Sequence, residues 1–160
     1  MDDFMKNFEA HLRGVFLRDL QASLEKVQGE KIYAMSFITD DDWITLGLVF
    51  NTEESLEKHL KDMKEESPCA DGGHFDHISK LMRASEGQSF SCQNEIVECL
   101  SNLVNEVEDN FFQQFDQNED EIIFFVSNPS DPNYSEHLEN SSVRLMHSRD
   151  TLKKFARRYN

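Results

Sequence analysis

Three side chains able to ligate a metal lie close together in the chain, as Cys69-x4-His74-x2-His77, with Asp71 and Asp76 between them. A closed zinc site needs four such ligands, and a catalytic one needs three plus water. The Cys–His spacing follows no standard finger and no CxxC pair is present, so the cluster is a candidate rather than a signature. Cys92 and Cys99 stand seven residues apart, on one side of any helix that holds them. Free cysteines most often end as small buried hydrophobes, and nucleophilic work would need a histidine gathered beside them by the fold. Paired carboxylates recur at Asp40-Asp41-Asp42, Glu53-Glu54 and Glu119-Asp120-Glu121. General acid–base chemistry needs one carboxyl with a displaced pKa in a cleft, and among thirty-one acidic residues nothing in the sequence marks it. Neither an EF-hand, a P-loop, G-x-G-x-x-G nor G-x-S-x-G occurs. The expectation is therefore no enzyme and no cofactor.

Charge is the more informative signal. Sixteen basic and thirty-one acidic residues give −15. Residues 84–143 hold thirteen acidic side chains and no Lys or Arg, whereas residues 144–160 hold six basic and one acidic. Such a field repels nucleic acid and anionic membranes and attracts basic surfaces. Solubility alone would also explain it. The basic C-terminal residues Arg149, Lys153, Lys154, Arg157 and Arg158 complement the dipole of a last helix better than they serve a phosphate contact on so acidic a chain.

The elements that must position these residues follow from periodicity. Phe4, Phe8, Leu12, Val15, Phe16, Leu20, Leu24 and Val27 recur at helical spacing, and Gly29 ends that helix. Lys31–Thr39 and Trp43–Phe50 read as strands around the acidic turn Asp40–Asp42. Asn51 or Thr52 caps a helix reaching about Glu66. Ser67–Gly73 reads as a loop and His77–Ala84 as a weak helix. A polar linker, Ser85–Ser91, follows. Residues 92–115 form the strongest helix, with Ile96, Leu100, Leu103, Val104, Val107, Phe111 and Phe115 on one stripe and acidic side chains opposite. Glu121–Ser127 is an almost fully apolar strand, central in the sheet or buried on both faces, and two helices, about 135–146 and 149–158, close the chain. The expected architecture is one α+β domain over 1–160, a small, mainly antiparallel sheet (hairpin plus a third strand) packed with four to six helices. No apolar run reaches bilayer length, no signal peptide opens the chain, and three irregular cysteines make no disulfide framework. These point to a reducing cytoplasm.

Tyr33-Ala34 in a strand, an acidic turn, a second strand and Asn51-Thr52-Glu53-Glu54 opening a helix resemble a bacterial family, domain of unknown function 4303. The strand EIIFFVS and the later Ser141-Ser142-Val143-Arg144-Leu145 are similar to that family's end. The resemblance covers most of the chain. It implies a small bacterial cytoplasmic protein, in some cases encoded beside toxins, with no catalytic residues to carry over. Immunity proteins of that kind are small and acidic and act by steered, tight occlusion. The expected function is thus to bind a basic toxin or effector domain. Glu95, Glu98, Glu106, Glu108, Asp109, Glu119, Asp120 and Glu121 would pair with the Lys and Arg that hold the toxin's substrate. Two alternatives are an acidic mimic of nucleic acid that blocks several basic proteins, and a small metal protein using Cys69, His74 and His77.

Overall fold

The computed structural model describes residues 2–62, 70–74, 76–85, 87–107, 109–149 and 151–153. Helix α1, Asp2–Lys26, places Phe4, Phe8, Leu12, Phe16, Leu20 and Leu24 on one buried face at strict four-residue steps. Strands β1 (Ile32–Thr39) and β2 (Leu46–Thr52) pair antiparallel, with Met35 opposite Phe50 and Phe37 opposite Leu48. Helix α2 (Glu53–Asp62) leaves β2 at Thr52, whose hydroxyl accepts from the Ser55 amide at 3.1 Å and so caps the helix as expected. Next come β3 (Ala70–His74), α3 (Asp76–Ala84), α4 (Gln88–Ser91), α5 (Gln93–Glu106), α6 (Asp109–Gln113), a 3-10 turn (Glu119–Glu121), β4 (Ile123–Ser127) and α7 (Pro132–Met146).

The sheet runs β3-β2-β1-β4. Its first two pairings are antiparallel, and β4 joins β1 in parallel, with Ala34 opposite Ile123 and Ile38 opposite Ser127. The α+β class holds. Beyond the expected three strands there is a fourth, β3, inside the segment read as a Gly-rich loop. Its partner β2 supplies the hydrogen bonds that ADGGH could not specify alone, with Gly73 opposite Leu48 and an irregular register beside it. The second strand starts at Leu46 rather than Trp43, because Trp43 takes a left-handed φ of 53° within the turn.

The expected helix over 92–115 is two helices. Val107 is extended, with φ −68° and ψ 126°, and this break shifts the apolar frame by one residue, so Phe112 rather than Phe111 is fully buried. The linker read at Ser85–Ser91 coils into α4. With that coil and the divided helix, seven α-helices and a 3-10 turn stand among the described residues where four to six were expected.

One continuous core joins these layers. Phe16 of α1 meets Phe37 of β1 at a centroid distance of 6.0 Å, and Phe112 of α6 meets Phe124 of β4 at 5.9 Å. Each such buried side chain contributes about 1.5–3 kcal/mol. Strand β4 lies at the sheet's edge rather than at its centre, its apolar run being covered by α7, and its outward N–H groups are satisfied by side chains. Val126 donates to Ser142 Oγ (2.9 Å), Asn128 to Ser135 Oγ (3.2 Å) and Phe124 to His147 Nε2 (2.7 Å). Helix α7 and the residue after it thus cover an edge that would otherwise invite pairing with another chain. Among the described residues no helix is long and apolar enough to cross a membrane.

Candidate functional site

The start of β1 is where chain geometry concentrates charge. Gly29, at φ +91°, turns the chain from α1 into β1, a conformation that a residue with a Cβ adopts only under strain. Across from it, α6 ends with Gln117 N–H on the Phe112 carbonyl (3.1 Å) and Asp116 N–H on that of Gln113 (3.2 Å). That is a Schellman ending with Asp116, at φ 56°, in the place glycine usually holds. Gln117, buried, ties the two turns together. Its side-chain oxygen accepts from Ile32 N–H at 3.0 Å, and its amide donates to the Glu30 carbonyl at 2.8 Å.

These turns wall a recess of about 370 Å³, which adjoins at Asn118 a second hollow of about 230 Å³. Glu30, Glu54, Asp116 and Glu121 line the first, and Glu119 and Asp120 line the second. The cation among them is Lys31. Its Nζ lies 2.9 Å from Glu121 and 3.5 Å from Glu53, and its backbone N–H donates to Glu54 at 2.9 Å. The hydrogen bond to Glu121 raises the Lys31 pKa, with the charges of Glu121 and Glu53 adding to it. Six lining carboxylates against one ammonium leave the recess strongly negative. Exposed pairs of this kind add little stability, so their main physical effect is the field.

The residues proposed from sequence divide. Glu119, Asp120 and Glu121 do line the hollows, half-buried, exposed and half-buried respectively. The 3-10 turn that presents them is capped by Asn118, whose side chain accepts from Asp120 N–H at 3.2 Å. Glu95 and Glu98 are exposed on α5, outside that lining. Glu106 is held by Arg13 of α1 through two hydrogen bonds, one of 3.0 Å, and that contact pulls its pKa down. Arg13 also reaches Glu9 at 3.2 Å, so Glu106 belongs to a helix–helix bridge rather than to the recess. Glu108, and the side chain of Asp109 at the start of α6, lie outside the described residues.

Glu30, Glu54 and Asp116 were missed as site residues. Glu30 and Asp116 occupy turns whose meeting depends on Gln117, a contact across 87 residues between positions 30 and 117 that no local pattern announces.

Cys69 and the side chains of His74 and His77 lie outside the described residues, and among the described residues no cluster of His, Cys, Asp or Glu is arranged to hold an ion. Cys92 and Cys99 are free, and burial pushes both thiols up, Cys99 to about 11. Neither is a poised nucleophile. The acidic turn also has a structural task. Asp40 accepts from Ile44 N–H and from the Thr45 hydroxyl, both at 2.8 Å, and Asp41 accepts from Asn128 Nδ2 at 2.9 Å.

No curated protein and no solved structure matches the chain. The family model described as "Domain of unknown function (DUF4303)" matches residues 16–145, which is most of the sequence, and the protein belongs to that family.

Proposed function

We propose that this protein binds and occludes a basic protein partner through the acidic recess at the start of β1, acting in a bacterial cytoplasm as an immunity or inhibitor protein. The observation that carries the reading is the recess itself, with six carboxylates from three chain segments around a single lysine in a molecule of net charge −15. Fixed carboxylates on one concave surface match the Lys and Arg side chains with which a toxin domain holds an anionic substrate. The long-range field accelerates encounter by one or more orders of magnitude at low salt. The reading needs no chemistry from the protein, in keeping with carboxylates that are committed to hydrogen bonds or spread over an exposed face.

The test begins with tagged protein and its native cytosol at low and moderate salt, and continues with association kinetics on the protein retained. Charge reversal by Glu54→Lys, Glu119→Lys and Asp120→Lys together should slow association by about tenfold or more and flatten its dependence on ionic strength. Unchanged association of that variant would remove the recess from the interface. A broad set of basic proteins released together as salt rises would reduce the charge to a solubility device.

A further inference from the structure

The opposite end of β1 opens on a second groove, of about 340 Å³, and its walls are unlike the recess. It lies where the parallel strands β1 and β4 both end, the position outside strand carboxyl ends at which sheets with parallel strands commonly receive ligands. Three separate parts of the chain line it. The β1–β2 turn supplies Thr39, Asp40 and Thr45, α3 supplies Ser79 and Arg83, and the loop after β4 supplies Ser130.

Those walls are fastened to one another by side-chain hydrogen bonds. Asn128 reaches Asp41 across 2.9 Å and accepts from Ser130 N–H at 3.0 Å, Ser79 Oγ accepts from Leu46 N–H at 3.1 Å, and Thr39 donates to the Thr45 carbonyl at 3.0 Å. Within the same turn, Trp43 is fully buried in a left-handed conformation, and among the described residues its indole N–H has no partner. A bulky residue held at such a φ marks a turn that the surroundings over-determine, and such strain gathers at binding sites.

We propose that this groove binds a small zwitterion, a free α-amino acid, with its carboxylate on Arg83 and its ammonium on Asp40. Among the described residues the Arg83 guanidinium makes no ion pair, and it is exposed on the last turn of α3. It offers the paired donors that suit a carboxylate. Asp40 accepts one hydrogen bond on each oxygen from the protein, and a carboxylate has about four acceptor positions, so room remains for an ammonium. The hydroxyls of Thr39 and Thr45 already donate within the protein and present lone pairs to a ligand's donors. Net charge decides the class. A phosphate or a simple carboxylate must approach a molecule of −15 against its field, whereas a zwitterion carries no net charge and meets one group of each sign. The groove's volume sits near the lower end of the roughly 300–1,000 Å³ usual for ligand sites, which suits a ligand of amino-acid size.

Trp43 is the only tryptophan and lies in the turn whose Asp40 and Thr45 line the groove, so its fluorescence reports on the turn that a ligand would touch. The full chain is titrated with each of the common amino acids at millimolar concentration, and the thermal midpoint is followed alongside. One amino acid or one side-chain class should give a saturable change in both signals. Arg83→Gln, an exposed position whose ligand-free midpoint should not move, should weaken that binding by about tenfold or more. The matching desamino acid and decarboxylated amine should each fail to saturate. Three results would overturn the proposal: no response to any amino acid, a response unchanged in Arg83→Gln, or equal binding of either single-charge analogue.

Discussion

The two ends of β1 use the same side chain to opposite purposes. At its start, carboxylates of Glu30, Glu54, Asp116 and Glu121 crowd a recess in which one lysine is shared. At its end, Asp40 and Asp41 are bonded to named donors, the Ile44 amide and the Thr45 hydroxyl for one and the Asn128 amide for the other. The second arrangement closes a turn, whereas at the first Glu54 and Glu30 each accept a single hydrogen bond, from Lys31 N–H and from the Thr52 hydroxyl. A count of acidic residues therefore says little about their work. What each carboxylate is bonded to shows how much of it is left to act on something outside the fold.

That contrast can be broken or sharpened by substitution. The largest effect should come from Gln117→Ala, which leaves the Ile32 amide without its acceptor in a buried place and separates the two turns of the recess. A loss of about 3 kcal/mol is expected in urea unfolding. Asp40→Ala should follow at about 1–2 kcal/mol, since it removes two short hydrogen bonds that shape a strained turn. Lys31→Ala, at the other end, should cost no more than about 1 kcal/mol despite its two ion pairs, because both are exposed. Equal losses for Asp40→Ala and Lys31→Ala would erase the contrast.

Acid should act at the sheet edge. Phe124 N–H donates to His147 Nε2, so the neutral ring with its proton on Nδ1 is the form that fits, and burial lowers its pKa, a little offset by the nearby Phe124 carbonyl. The folded value then lies below the unfolded one of about 6.5. Stability should be complete above that pH and decline as pH falls below it toward the folded value, because the unfolded chain takes up the proton first. His147→Gln should flatten the fall between neutral and mildly acid pH. The smallest change expected is a gain. Asp116→Gly should add about 0.5–1 kcal/mol by relieving the left-handed C′ residue of α6, and it would also remove one carboxylate from the recess.

Much of the fold was legible where one period held over many residues. The buried face of α1, at four-residue steps from Phe4 to Leu24, reads straight from the sequence, and so do the hairpin and the apolar β4. What escaped depends on distant partners. ADGGH has no strand signal of its own and becomes β3 only against β2, and Val107 carries the stripe of a continuous helix while its backbone leaves the helix. For the site, local charge runs pointed to Glu119–Glu121. Their companions Glu30, Glu54 and Asp116 were hidden because proximity there is set by Gln117 and by two left-handed turns, and composition does not encode such meetings.

The parallel pairing of β1 with β4 has a consequence in time. Ala34 and Ile123 face each other across 89 positions (123 − 34). At a synthesis rate of roughly 5–20 residues per second, β1 waits on the order of 5–20 s after leaving the ribosome before its partner is made. During that interval the hairpin offers an open apolar edge, Ile-Tyr-Ala-Met-Ser-Phe-Ile-Thr, with no charge to discourage a neighbour. Glu30 on one side and the Asp40–Asp42 run on the other flank that edge with like charge, which raises the cost of pairing two such half-made chains.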